Sequence, residues 1–342
     1  RGSVPAIMEA LGVDMLPAES GVPTIRRELT YGGTRGEIVV AGRLGAWLEE
    51  NAPAGGLDVN KTATALAATQ PPLLMVGEIT AARLYGGLAA ETTLDPKTQP
   101  FLYDHQIDGV PVLPGVMGTE SFAELASVAA PGYRVAAVTN ASFSSPFKFH
   151  RHQPRTLYLS AVTAPQAGDL VAHTTLRSVT RPKPELPPQV REHFSADVRL
   201  TQAEGDKPTF TVDAPPAGEG RTVGRDDVYK VYFHGPAYQV LEKVQVTGNR
   251  SVGLMAENLP ANTTPDGVAS LMAPRLIELC FQTAGMWEIL TKGMMALPAA
   301  IESVTTYRQP EEANGQRLTA YVTVRDGGQA FDAQVVDESG NL

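Results

Sequence analysis

From residue 74 onward the chain alternates apolar and polar positions in short runs. RVAAVTNASFSSPFKF, TLYLSAVTA, LVAHTTLRSV and FSADVRL are separated by Gly, Pro or Asp turns. Alternation of that kind predicts half-buried strands. One stretch breaks the pattern: PGVMGTESFAELASVAA (Pro114–Ala130) spaces Val116, Phe122, Leu125 and Val128 among good helix formers and predicts a helix. A low-complexity stretch over residues 203–227 then interrupts the strands. Beyond it the plan repeats, with a helix over APRLIELCFQTAGMWEIL (Ala273–Leu290) and strands at TTYRQ, RLTAYVTVRD and FDAQVVDES. Both helices follow a proline, Pro114 or Pro274. Both also carry polar residues four apart, Glu120 and Glu124 in one, Glu278 and Gln282 in the other. The pattern predicts an α+β fold in which a unit is duplicated, each copy a curved antiparallel sheet around one long helix.

Ahead of residue 74 neither period holds. Residues 51–72, NAPAGGLDVNKTATALAATQPP, have the composition of a linker. The residues before them offer a short helix at Pro5–Leu11 and a strand at Gly36–Ala41, too little to bury a core. The expected division is therefore 1–50, the tail of a preceding domain; 51–73, a linker; and two similar units at 74–220 and 221–342. The first residue is Arg rather than Met, which fits a segment of a longer polypeptide.

Composition narrows the partners. The 342 residues, 43% of them hydrophobic, suffice for more than one core. A net charge of −9 with no long basic run argues against nucleic acid. A single cysteine, Cys280, allows neither an intrachain disulfide nor a multi-cysteine metal site and fits a reducing cytoplasm. No run approaches ~20 apolar residues and no signal-peptide layout opens the chain, so no membrane partner is expected.

Candidate chemistry gathers in DHQIDGVPVLPG, residues 104–115, where two glycines and two prolines prescribe the chain path around His105. The spacing His105-x-x-x-Gly109-x-x-x-x-Pro114 resembles the HxxxGxxxxP motif of polyketide-synthase dehydratase domains. FHGPAYQVL (Phe233–Leu241) resembles the HGPxF-type segment of that family, and Glu278-x-x-x-Gln282 falls where it carries an acidic residue followed by Gln or His. The modular enzymes usually have Asp at the position of Glu278. Stand-alone hotdog dehydratases of fatty-acid synthesis include members with Glu in an ExxxQ setting, and GVPVLPGVMGTESFAE is similar to their GxPxxPG-then-helix segment. The resemblance spans residues 75–342 and implies a double hotdog. Upstream, GSVPAIMEALGVDMLPAESGVPTIRRELTYGGTRGEIVVAG looks like the end of a ketoreductase domain without its nucleotide-binding glycines or catalytic tyrosine. A ketoreductase followed by a dehydratase resembles the order in iterative type I synthases of the polyunsaturated-fatty-acid, glycolipid and enediyne kinds.

That resemblance implies removal of water from a 3-hydroxyacyl thioester held on the phosphopantetheine of an acyl carrier protein, with no further cofactor and no metal. The partners it implies are the carrier protein, neighbouring synthase domains and a second copy in a homodimer. Dehydration needs a base for the C2 proton and an acid for the C3 hydroxyl. An imidazole serves as base near neutrality, which assigns His105. The carboxyl of Glu278 must be raised to serve as acid, and its apolar neighbours on the helix are expected to raise it. Gln282, one turn on, is placed to orient it. Backbone N–H groups near Gly109 and after Pro114 are candidate donors to the thioester oxygen, and Gly109 would admit the acyl chain. Tyr238 would line the acyl tunnel or add a donor.

Plainer readings stand beside these. Glu278 could reach the surface or pair with Arg275. Glu120 would serve a second site only with a histidine from the second unit, and NTTPDGVASLMAP holds none, so one site is expected, His105 facing Glu278. His234 is expected to order the turn beside the tunnel. His150 and His152, two apart on an expected strand end, admit a weak metal reading; a basic rim passing the carrier phosphate is favoured there. The fold would also suit an isomerase, a product-template-like cyclase or a non-catalytic scaffold.

Overall fold

The computed structural model describes residues 73–83, 87–166, 168–181, 183, 186–205, 207–211 and 220–342, with 13–14, 18–31, 43–44 and 64 upstream. The helix expected at Pro5–Leu11, the strand at Gly36–Ala41 and all of the linker but Thr64 and Leu73 lie outside them. Among the upstream residues, Ala18–Tyr31 forms a helix with Pro23 inside it, which the pattern did not assign.

The first unit is built on strands β1 (Glu78–Arg83), β2 (Gly87–Leu94), β3 (Arg134–Phe143), β4 (Arg155–Gln166), β5 (Asp169–Thr180) and β6 (Gln189–Thr201). The helix α1 (Gly115–Ala129) packs on β2 to β6. Alternation is clear on β5, where Leu170, Ala172, Thr174 and Leu176 turn inward, as a sheet wet on one face requires. The second unit has β7 (Arg221–Gly224), β8 (Leu241–Thr247), β9 (Arg250–Met255), the helix α2 (Pro274–Lys292), β10 (Ala300–Val304), β11 (Thr319–Arg325) and β12 (Ala330–Val336). Two antiparallel sheets result, in the orders β10-β3-β6-β5-β4-β2-β1 and β7-β8-β9-β11-β12, and α2 packs on β8, β9, β11 and β12. This is the expected double hotdog.

Two strand expectations are corrected. TTYRQ (305–309) is not a strand; the preceding residues Ala300–Val304 are, and they pair with β3 of the first unit. Apolar Ile301 and Val304 pack there against the first core, and the chain therefore closes the larger sheet before returning to the smaller. His150–His152 form a single 3₁₀ turn, with Arg151 at φ 56°, rather than a strand end.

The two cores meet along α2. Val116, Phe122 and Leu125 of α1 are buried among the first unit's strands, and the same cluster takes in Tyr238, Met272 and Ile277 from the second. Leu279 and Met286 turn the other way, into Val244, Tyr232 and Ala320. A helix with apolar residues on both sides is shared between two cores rather than lying on one, and the segment from Ile277 to Gln282 sits at the seam.

Candidate active site

His105 follows a one-turn helix, Pro100–Tyr103, and precedes a small hairpin in which Gln106–Ile107 pair with Val110–Pro111. Asp108 and Gly109 turn the hairpin with φ of 52° and 73°, the left-handed pair that a two-residue loop demands. Gly109 is exposed, and a Cβ built on it would meet nothing within 4 Å. Gly109 therefore makes the turn, with open space beside its Cα. Val112 N–H donates back to the His105 carbonyl at 3.0 Å, while Leu113 and Phe149 N–H groups bond Phe147 and Pro111 carbonyls. Pro114 caps α1, its carbonyl accepting from Met117 and Gly118 N–H at 3.0 Å each. The amides of Gly115 and Val116 open the helix ahead of its own ladder and remain the candidate donors.

The second unit docks onto this hairpin through FHGPAY. His105 and His234 form a β-bridge. The Asp104 carbonyl accepts from Gly235 N–H at 2.7 Å, and its carboxylate Oδ2 accepts from Ala237 N–H at 2.8 Å. The approach is close enough that a Cβ on Gly235 would lie 2.4 Å from Asp104 Oδ1 and 2.9 Å from its Cα. Glycine is what lets the two segments touch. In consequence the ring of His105 lies 5.1 Å from Phe233, 5.4 Å from His234 and 6.0 Å from Tyr238, centre to centre.

Polar contacts fix the protonation of the first imidazole. Nδ1 of His105 lies 2.8 Å from the Val112 carbonyl. A carbonyl only accepts, so Nδ1 carries the proton and Nε2 keeps its lone pair. Burial, then the charge of His234, pulls the His105 pKa down to about 4, against the opposing charge of Glu278. His105 is a neutral imidazole with a free basic nitrogen.

Glu278 is buried on α2, and its partner is not Arg275, which donates to the Pro260 carbonyl. Its Oε1 accepts from Gln282 Nε2 at 2.9 Å and lies 3.1 Å from His234 Nε2. The Gln282 amide is itself held in one orientation: Nε2 donates to the Tyr238 carbonyl at 2.8 Å, and Oε1 accepts from Tyr229 at 2.8 Å. Burial raises the Glu278 carboxyl, yet the charge and hydrogen bond of His234, aided by the nearby His105 ring and the Gln282 amide, outweigh it and leave the carboxyl below its usual range. This overturns the expectation that apolar neighbours raise it, because the imidazole of His234, distant in sequence but within the same unit, faces the carboxyl. His234 accordingly does more than order a turn. The clue was present in its distance along the chain from Pro236 and Tyr238, but nothing local says that α2 delivers a carboxylate to it.

Tyr238 is fully buried, its hydroxyl turned to the Asn262 side chain. Glu120 stands apart from the site, its two oxygens accepting from Leu271 and Met272 N–H at 2.6 and 2.8 Å. It founds no second centre. Among the described residues no group of three His, Cys, Asp or Glu side chains is placed to hold a metal. Lys148 forms an isolated backbone bridge with Val112 beside the His105 hairpin. No described helix is long and apolar enough to cross a membrane.

Comparison with known proteins gives this arrangement its family. Residues 74–175 match the polyketide synthase dehydratase domain model, and 207–342 match the model described as polyketide synthase dehydratase N-terminal domain. A polyunsaturated fatty acid synthase subunit from Thraustochytrium sp. is 25% identical over 326 residues; the match takes in 93% of this chain but 10% of that protein. Among solved structures, the dehydratase domain from the CurF module of curacin polyketide synthase superposes with a TM-score of 0.64 at 15% identity, covering 79% of this chain and 94% of that one. A trans-AT polyketide synthase dehydratase domain from Brevibacillus brevis gives 0.62 at 18% identity, covering 78% and 93%. The PpsC dehydratase domain of Mycobacterium tuberculosis gives 0.59 at 18%, covering 79% and 94%. With both units matched in order and the same double hotdog beneath them, the chain belongs to the polyketide synthase dehydratase family.

Proposed function

We propose that the chain removes water from a 3-hydroxyacyl thioester carried on an acyl carrier protein, giving the 2-enoyl thioester, within a synthase that also holds a ketoreductase. The observation that carries this reading is the neutral His105, whose Nδ1–H is spent on Val112 and whose Nε2 is free, set across the seam from Glu278. Nε2 of His105 takes the C2 proton, and the Glu278 arm, comprising Glu278 with its partners Gln282 and His234, returns a proton to the departing C3 hydroxyl. Amides at the start of α1 receive the charge that builds on the thioester oxygen. Tyr238 closes the site beside both rings. The basic residues Lys148, His150 and Arg151 lie where a carrier phosphopantetheine phosphate would pass. The similarity to a polyunsaturated fatty acid synthase supports placing the chain in an iterative synthase acting on fatty acyl groups.

The test is direct. Wild type and His105→Ala are incubated with 3-hydroxyacyl thioesters of several lengths and both configurations on a carrier protein, and the acyl mass is followed. Loss of 18 mass units, about the mass of one water, from wild type alone supports the reading, with the variant slowed roughly 10²–10⁴-fold. Unchanged mass with every thioester overturns it.

A further inference from the structure

The arrangement leaves one question of chemistry: which atom holds the proton that leaves with the hydroxyl. Oε1 of Glu278 faces two nitrogens, Gln282 Nε2 at 2.9 Å and His234 Nε2 at 3.1 Å. The Gln282 nitrogen is a donor, because it also bonds a carbonyl. An oxygen served by an amide donor and an imidazole is placed as a carboxylate, with His234 Nε2–H pointing at it. The other nitrogen of that ring, Nδ1, is buried and has no partner among the described residues. A buried polar atom left idle costs stability unless some step of function gives it a partner. The ring of Tyr238 lies 6.4 Å from His234 and 6.0 Å from His105, while its hydroxyl is turned to the Asn262 side chain. Three rings thus lie side by side, and Nδ1 of His234 is the unpartnered nitrogen among them.

We propose that His234 carries the proton given to the departing hydroxyl and that Glu278 is the carboxylate positioning it, an inference that rests on the dehydratase reading above. Nε2 of His105 bonds to the C2 proton while the C2–H electron pair becomes the C2=C3 π bond. The C3–O bond breaks, and its electron pair takes the proton from Nδ1 of His234, so water departs. His105 ends protonated and His234 neutral, and proton exchange with solvent restores both. Two imidazoles in contact take opposite states because only one has a carboxylate against it. The positive charge of His234 is also among the causes that keep His105 unprotonated.

The groups facing His234 leave that assignment intact. From the first unit come His105 and Asp104, the latter bonded to Ala237 N–H. From α2 come Glu278 and, through it, Cys280, whose thiol burial pushes up to about 12. Tyr232 and Tyr238 flank the ring, Tyr229 reaches it through Gln282, and burial pushes all three phenols upward. Among these groups the carboxylate in contact with the His234 ring is Glu278.

Dehydration by wild type, His234→Gln and Glu278→Gln, measured from pH 4 to 10 with thermal melts of each, separates the roles. His234→Gln is expected to lose about 10²-fold or more of turnover at every pH. Glu278→Gln is expected to keep measurable turnover with its alkaline limb moved to lower pH, since the imidazolium has lost its counter-charge. A Glu278→Gln variant inactive throughout, beside a His234→Gln variant with an unmoved limb, makes the carboxyl the acid and overturns the proposal. ¹⁵N spectra of the histidines in wild type are independent of variant folding and of turnover. Both nitrogens of His234 protonated at pH 6, with His105 neutral, support the assignment; a neutral His234 overturns it. Should wild type release no water from any thioester, the dehydratase reading fails while the spectrum still decides the state of His234.

Discussion

The two long helices each bury a pair of polar side chains four residues apart, and the pairs have opposite fates. On α1, Glu120 accepts from Leu271 and Met272 N–H, and Glu124 from Leu74 and Met75 N–H at 3.3 and 2.7 Å. Each carboxylate grips a passing stretch of backbone. On α2, Glu278 and Gln282 bond each other, and the free side of Glu278 meets an imidazole. The electrostatics follow the partners. Burial, opposed only by amide donors, raises Glu120 to about 7; burial and the neighbouring Glu120 raise Glu124 to about 8. The Glu278 carboxyl, similarly buried, is brought low by His234. A carboxyl on a buried helix is thus a fastener when backbone amides face it and part of the candidate site when a titratable ring faces it. The duplicated fold supplies the position twice and the ring once.

The strongest way to break that contrast is to remove a fastener. Glu120→Ala leaves two buried N–H groups without acceptors and opens a cavity beside the residues that lead into α2. The expected loss is about 2–5 kcal/mol in denaturant unfolding, with turnover per folded molecule nearly unchanged at low temperature. If turnover fell by the factor seen for His105→Ala while stability held, Glu120 would belong to the chemistry and the two helices would not differ in kind.

Gly235→Ala attacks the place where the units meet. The added Cβ must displace Asp104 backbone and carboxylate, at a cost of about 1–3 kcal/mol. It should also separate His105 from His234 and lower turnover at least tenfold, by order of magnitude, through lost alignment. Steady-state kinetics beside a melt distinguishes misalignment from unfolding. A variant with normal turnover would show that the close contact serves packing alone.

How much of this was legible beforehand depends on range. Strands β3 to β6 and both helices follow from periodicity, because alternation and helical spacing are local properties of the chain. His105, Glu278 and Gln282 could be picked out because the glycines and prolines around them, and the four-residue spacing, are local as well. What escaped was set by tertiary contacts. Ala300–Val304 became a strand because β3 had a free edge, and the adjoining TTYRQ did not. His234 looked like a turn residue since its role depends on a helix forty residues later in the chain, ~40 being the kind of separation that periodicity never spans. The pKa of Glu278 was expected in the wrong direction for the same reason: its sequence neighbours are apolar, but its spatial neighbour is an imidazole.

The raised carboxyls sharpen the contrast through pH. A carboxyl whose folded pKa lies above its unfolded value binds more protons when folded, so stability falls as pH rises from about 4.3, the unfolded value, through the folded one. Glu120 and Glu124 therefore place a decline between about pH 5 and 8, with a slope of at most ~1.4 kcal/mol per pH unit for each proton. Glu124→Gln should flatten it. On the other helix the low Glu278 carboxyl acts in the opposite sense, its stability contribution being lost as pH falls through its folded pKa. Catalysis follows a third group: with His105 held down to about 4, turnover should persist to about pH 5 on the acid side. An acid limb near 6.5, the ordinary imidazole value of about that size, would mean that His105 is more solvated during turnover than its contacts indicate.

The smallest effect is expected at Gly109, which shares the His105 motif with residues of far larger consequence. Its φ of 73° is tolerated poorly by alanine, at about 1–2 kcal/mol. No atom lies within 4 Å of where the new Cβ would be, so no clash adds to that figure. The Val112 N–H to His105 carbonyl bond and the Val112 carbonyl to Nδ1 bond close the hairpin from its other end, and they should hold the imidazole even if the tip shifts. Gly109→Ala is then a mildly less stable protein with turnover within a few fold of wild type, as a melt and a progress curve would report. A large loss of turnover without a matching loss of stability would instead place the hairpin tip against the acyl chain. Gly109 would then join Gly235 as a point of close approach, and the first unit would contribute a substrate wall as well as a base.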